Sequence, residues 1–252
     1  MRRSRVIPCL TILDGDLVKT VNFKAPRYVG DPINAVKIFN ELEVDELVVT
    51  DIGASRYGKA PDLALISDLA SEAFMPIAYG GGVRSADQAA RISAIGIEKI
   101  IVDSAALNDP SLIADIAGRL GSSSTVASIS IARDSRGRVH VFDPTRRRRA
   151  ALDPVVHARR LADMGAGELL LNDVDRDGRY SGYDTALIEQ IADAVGVPVI
   201  ACGGAATVDD LSAGIAAGAS AAAAGSMFMF YSRRRGVLIN YPPEAELAGT
   251  MP

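Results

Sequence analysis

The chain has 252 residues, 48% hydrophobic and 23% charged, enough to bury a large core in one α/β barrel or two small domains. A formal net charge of −4 and a pI near 5.3 leave no electrostatic case for a nucleic-acid partner. No apolar run approaches the ~20 residues of a membrane helix, and Met1-Arg2-Arg3-Ser4-Arg5 leads into a strand and not a signal peptide. A cytoplasmic protein with no membrane association is expected.

The first predicted strand, 6–12, lies in "RVIPCLTIL", carries Thr11 at its C-terminal end and meets an Asp14-Gly15 turn. A loop with Lys19 follows, then a helix over 32–42. A strand over 46–51 ends on Asp51, and a helix over 62–73 follows it. A strand over 76–79 runs into Gly80-Gly81-Gly82, before a helix over 85–95. The strand over 99–102 runs into Asp103-Ser104, before a helix over 110–120.

The second stretch repeats this order. A strand over 125–131 holds Ser130 and leads to a short hairpin, "GRVHVFD", with His140. Four successive arginines at 146–149 precede a polar helix over 154–164 that carries His157. A strand over 168–172 is followed by Asp175 and Asp177, then a helix over 184–195. Strands over 198–201 and 220–224 run into Gly203-Gly204 and Gly225-Ser226, with a helix over 208–217 between them. Arg233, Arg234 and Arg235 come next; beyond Pro242-Pro243 only "EAELAGTMP" remains, too short for a robust helix.

Alternating β and α at this spacing implies a parallel sheet with helices outside, and eight such strands favour a closed (β/α)₈ TIM barrel. An internal repeat sharpens the expectation. Segments beginning at Asp45, Pro76 and Ala94 match segments beginning at Gly167, Pro198 and Ala216, all at a shift of 122 residues. The chain reads as one barrel of two duplicated (β/α)₄ halves, about 1–122 and 123–240, with a short C-terminal tail.

The repeated segments carry phosphate chemistry. A glycine-rich turn after a strand exposes backbone N–H groups, and a helix N-terminus beyond it adds a favourable dipole. Gly81, Gly82, Asp103 and Ser104 form one candidate phosphate site; Gly203, Gly204, Gly225 and Ser226 form its counterpart. Two such sites across one mouth suit a long substrate with an anion at each end, the plainer reading being tight βα turns. Asp103 is expected to weaken the first site, because its carboxylate replaces the bare backbone of Gly225. Cys9 and Cys202 read as buried thiols, not a disulfide. No His/Cys/Asp cluster has metal-ligand spacing, so neither metal nor cofactor is expected, and no histidine lies near a nucleophile motif.

The segments "VNF", "GDP", "DELV", "GGG", "GAGE", "DRDG" with "SGYDT", "IACGGA" and "AGS" follow one another in order along the chain. In these the chain resembles the HisF family, the cyclase subunit of imidazole glycerol phosphate synthase. It implies a (β/α)₈ barrel that receives ammonia from a glutaminase docked at its N-terminal face and passes it through to a phosphorylated substrate. The family's four charged gate residues match Arg5, Glu46, Lys99 and Glu168 here. Its two catalytic aspartates match Thr11 and Ser130, whose hydroxyls do not titrate near neutral pH, so the usual cyclase reaction should be very slow or lost. Lys19, Asp51 and Asp177 remain as polar candidates around the mouth.

A narrower likeness, in "IPCL", "GDLVKTVNFKAPRYVGDPINAVKIFNE" and "VLINYP", is to a HisF-related branch encoded with surface-polysaccharide genes. It implies ammonia supply for acetamidino modification of an acetamido sugar, with a sugar amidotransferase as a further partner and a phosphorylated or nucleotide-sugar ligand. Two alternatives stay open: an authentic cyclase of histidine biosynthesis, and a non-catalytic scaffold that binds phosphate.

Overall fold

The computed structural model describes residues 4–231 and 236–250; Arg233, Arg234 and Arg235 lie outside them. Eight parallel strands form the barrel: β1 Arg5–Leu13, β2 Leu47–Asp51, β3 Ile77–Gly80, β4 Lys99–Val102, β5 Thr125–Arg133, β6 Glu168–Asp173, β7 Val199–Cys202 and β8 Ala221–Ala224. Each pairs with its neighbour in chain order, and β8 pairs with β1, which closes the sheet. Strands β3 and β7, and likewise β4 and β8, begin and end 122 residues apart, the shift of the sequence repeat.

Among the described residues, helices cover the outside: α1 Pro32–Glu41, α2 Leu63–Glu72, α3 Ala86–Ala94, α4 Ser111–Leu120, α5 Pro154–Asp163, α6 Thr185–Ala192 and α7 Val208–Ala216. Their starts are written locally. Asp31 caps α1 with Pro32 in its first turn, Asp62 caps α2, and Thr207 forms a capping box with Asp210 on α7. The larger core, including Phe39, Ile92, Ile116 and Leu211, packs between sheet and helices.

Side chains two apart on a strand share a face, so the barrel interior is layered. Ile7, Val48, Ala78, Ile101, Val126, Leu170, Ile200, Ala221 and Ala223 form an apolar waist. One step toward the strand starts stand Arg5, Glu46, Lys99 and Glu168; one step toward the ends stand Cys9, Thr50, Asp103, Ser128, Asn172 and Cys202.

Three expectations need correction. The segment after Asp14-Gly15 is not a loop. It is a hairpin, with strands Asp16–Val21 and Lys24–Gly30 continuing from β1. Asp14 and Gly15 both have positive φ, 51° and 88°, which turns the chain back on itself in two residues. The short tail does form a helix, α8 Glu244–Thr250, because fully buried Leu247 anchors it against α7. His157 is not on an open polar face. It is buried, and burial together with Arg160 lowers its pKa to about 4.

Candidate functional site

The four charges at the strand starts form a closed ring. Arg5 donates to Glu46 and Glu168, and Lys99 donates to Glu46 at 3.0 Å and Glu168 at 2.9 Å. Glu46, Lys99 and Glu168 are all buried. Each base touches both acids, so every charge is compensated while it closes the bottom of the barrel. Above the ring, among the described residues, the apolar waist lines the interior up to the mouth.

At the mouth lies a cavity of about 420 Å³ that reaches down to Val48, Ile101 and Leu170 of the waist. Thr11, Lys19, Asp51, Ser130 and Asp177 all line it, as do Gly81, Gly82, Asp103, Ser104, Gly203, Gly204, Gly225 and Ser226. The sequence candidates therefore converge, with the ring residues at the opposite end of the same interior.

The glycine loops are built for close approach. Gly203 and Gly204 have φ of 96° and 114°, and a Cβ on Gly204 would stand 2.2 Å from the Gly182 carbonyl. At Gly225 a Cβ would stand 2.7 Å from Lys19 Nζ, so the missing side chain admits the ammonium beside the second loop pair. The hairpin brings Lys19 there, where it donates to the Cys9 carbonyl. The hairpin itself is tied down by the loop after β6: Thr20 Oγ1 donates to Asp177 at 2.7 Å, and Asn22 donates to the Val174 and Asp175 carbonyls. Burial lowers the pKa of Lys19 and raises that of Asp177, although each opposes the other's shift. Asp177 thus positions the hairpin as well as lining the cavity. One Asp51 oxygen is similarly committed, capping the helical turn Ile52–Arg56 through the amides of Gly53 and Ala54.

Asp103 departs from its expected place. Its carboxylate does not intrude on the first glycine loop; it turns into the barrel and accepts from Ser128 at 2.9 Å and Ser130 at 2.8 Å. The reason is strand parity: Lys99, Ile101 and Asp103 share the inward face, as do Val126, Ser128 and Ser130. Enclosure lifts the Asp103 pKa to about 6; the two serine hydroxyls oppose the rise and the neighbouring Asp143 adds to it. Comparing positions 103 and 225 in the repeat does not reveal this inward carboxylate, whereas counting by twos from Lys99 does.

Cys9 and Cys202 are free thiols whose sulfurs approach to 3.9 Å in the cavity wall. Of the arginine run, Arg146 pairs with Asp143, while Arg147 and Arg149 line the cavity rim. Among the described residues no group of three His, Cys, Asp or Glu could hold a metal ion, and no helix is long and apolar enough to cross a membrane.

A ring of paired charges, an apolar waist and a mouth bearing two glycine loop pairs occupy one barrel. The family described as "Histidine biosynthesis protein" matches residues 5–234. The chain belongs to this histidine biosynthesis family. Within the family, a Pseudomonas aeruginosa relative is 50% identical over 243 residues, 96% of this chain and 97% of its own, and is named "Putative imidazole glycerol phosphate synthase subunit hisF2". A Leptospira interrogans relative is 43% identical over 244 residues, 96% of each chain, and carries the same name ending in HisF. A Vibrio vulnificus relative, whose name ends in hisF3, is 42% identical over 248 residues, 98% of this chain and 95% of its own.

Proposed function

We propose that this chain is the ammonia-conducting synthase subunit of a glutamine amidotransferase complex. A glutaminase docks on the N-terminal face, and the ring of Arg5, Glu46, Lys99 and Glu168 is the gate through which its ammonia enters. The observation that carries this reading is the coupling of that closed ring to an apolar waist and a phosphate-type mouth along one axis. Ammonia is small and neutral, so it crosses an apolar waist that excludes ions.

At the mouth, the loops Gly81-Gly82 with Ser104, and Gly203-Gly204 with Gly225-Ser226, hold a phosphorylated or nucleotide-sugar ligand. Lys19, Arg147 and Arg149 add positive charge around it. The ammonia serves acetamidino modification of an acetamido sugar in surface-glycan biosynthesis, with a sugar amidotransferase as further partner. What supports this finer reading is the loss of both cyclase acids at Thr11 and Ser130, together with the "VLINYP" tail.

A second reading, cyclase activity on imidazole glycerol phosphate precursors, is favoured by the names its relatives carry and by the carboxylate of Asp103 against Ser130. Supplying the purified chain with free ammonium and the cyclase substrate separates the two. Our reading predicts turnover at least 10²-fold below that of an authentic cyclase, the low end of what one positioned acid or base contributes. Turnover at the rate of such an enzyme would overturn it.

A further inference from the structure

The polar layer above the waist is unevenly built. On three adjacent strands it presents acceptors: the Asp103 carboxylate just past β4, Ser128 and Ser130 on β5, and Asn172 on β6, whose register partner is Ser130. Ser128 and Ser130 spend their hydroxyl hydrogens on one Asp103 oxygen, Oδ2. Asp103 forms no ion pair with any described residue, and the charge that acts on it is another carboxylate, Asp143. Asn172 Oδ1 is buried and has no hydrogen-bond donor among the described residues. A half-buried carboxylate without a cation and a buried amide oxygen without a donor are each unfavourable unless a ligand with N–H or O–H groups visits them. Residues Asp103 and Asn172 both line the cavity, two positions beyond the inward waist residues Ile101 and Leu170 on the same two chain segments, and the Asn172 oxygen sits in the cavity wall beside Gly203.

We infer that Asp103, held by Ser128 and Ser130, forms with Asn172 Oδ1 an ammonia-binding site at the exit of the barrel. The inference rests on the reading of the barrel as an ammonia conduit and specifies where the nitrogen stops. Ammonia has three N–H donors and one lone pair. Two donors engage Asp103 and Asn172, which turns the lone pair toward a ligand bound between the glycine loops. When the nitrogen attacks an sp² carbon–oxygen double bond of that ligand, the C–N bond forms and the π pair moves to oxygen. The proton lost by nitrogen passes to the Asp103 carboxylate, and from there to that oxygen. Asp103 then replaces, from the end of β4, the acid and base positions lost at Thr11 and Ser130.

The test uses carbon NMR of the full-length chain labelled at the aspartate carboxyl carbon, with the Asp103 resonance assigned by its loss in Asp103→Asn. Titration with ammonium chloride at constant pH and ionic strength should shift this resonance saturably. Tetramethylammonium chloride, which has the charge but no N–H, should not. Asn172→Leu should weaken the ammonium response several-fold while the Asp103 resonance stays in place without ammonium. An equal response to both salts, or none to ammonium, overturns the site. Feeding glutamine to the complex with a glutaminase separates the two claims. A shift with free ammonium but none with glutamine leaves the site standing and removes the conduit.

Discussion

Replacing Lys99 by Met tests the ring at the bottom of the barrel. The Lys99 ammonium touches Glu46 at 3.0 Å and Glu168 at 2.9 Å, and the Glu46 side chain is only 3% exposed. Methionine fills much of the same volume but leaves two enclosed carboxylates facing each other with Arg5 as their sole base. Breaking a buried pair by removing one partner costs ~3–5 kcal/mol, and the retained Arg5 places the expected loss near the bottom of that range, about 3 kcal/mol. At roughly 2–4 °C per kcal/mol for a chain of this size, the melting temperature should fall by about 6–12 °C. Thermal and urea unfolding measure this directly. Adding Glu46→Gln should recover part of the loss, because one uncompensated charge is removed with it. A loss below about 1 kcal/mol for Lys99→Met would refute the reasoning, since that is the range of exposed pairs. In the complex with a glutaminase, the same variant should release more ammonia to solvent per glutamine hydrolysed.

Further predictions concern the mouth. Because the Asp103 pKa is raised above its unfolded value to about 6, its contribution to stability is present below about pH 4 and lost as pH rises through 6. Asp103→Asn should therefore gain stability relative to the parent between pH 4 and pH 7, by at most about 3 kcal/mol given ~1.4 kcal/mol per pKa unit; a constant difference across that range, read by urea unfolding, would contradict the enclosure. Thr11→Asp with Ser130→Asp should raise any trace cyclase turnover with ammonium, but Ser130→Asp sets a second carboxylate against Asp103. Adding Asp103→Asn should then recover stability, and unchanged urea midpoints between the two combinations would count against the Ser130 contact. Gly204→Ala should lose more than about 2 kcal/mol and weaken phosphate binding, since φ is 114° and the new Cβ meets the Gly182 carbonyl. Gly196→Ala, where an added Cβ would meet no atom within 4 Å apart from its chain neighbours, should change unfolding by less than about 0.5 kcal/mol.

Much of the fold was legible because its signals are local and strong. Each barrel strand is a short apolar run, and capping residues such as Asp31, Asp62 and Thr207 mark helix starts. The shift of 122 residues also predicted that Gly81 and Gly203 would face one mouth. The hairpin after β1 was harder to see: Lys24, Ala25, Pro26, Arg27 and Tyr28 are exposed, so no apolar alternation announces that strand. Its one clear signal was Asp14-Gly15. The burial of Leu247 and His157 depends on what the tail and α5 pack against, which periodicity over a few residues does not encode. Asp103 is a different case. Its inward direction follows from strand parity, but its meaning depends on Ser128 and Ser130 of the next strand, a pairing across β4 and β5 that the fold supplies.

The central claim is that this barrel receives its ammonia from a docked glutaminase, and the most direct measurement is glutamine hydrolysis by a co-expressed glutaminase with and without this chain. The account predicts that the two co-purify as a heterodimer and that hydrolysis accelerates when the chain is present. A glutaminase that elutes alone and hydrolyses glutamine at the same rate in both samples would contradict it.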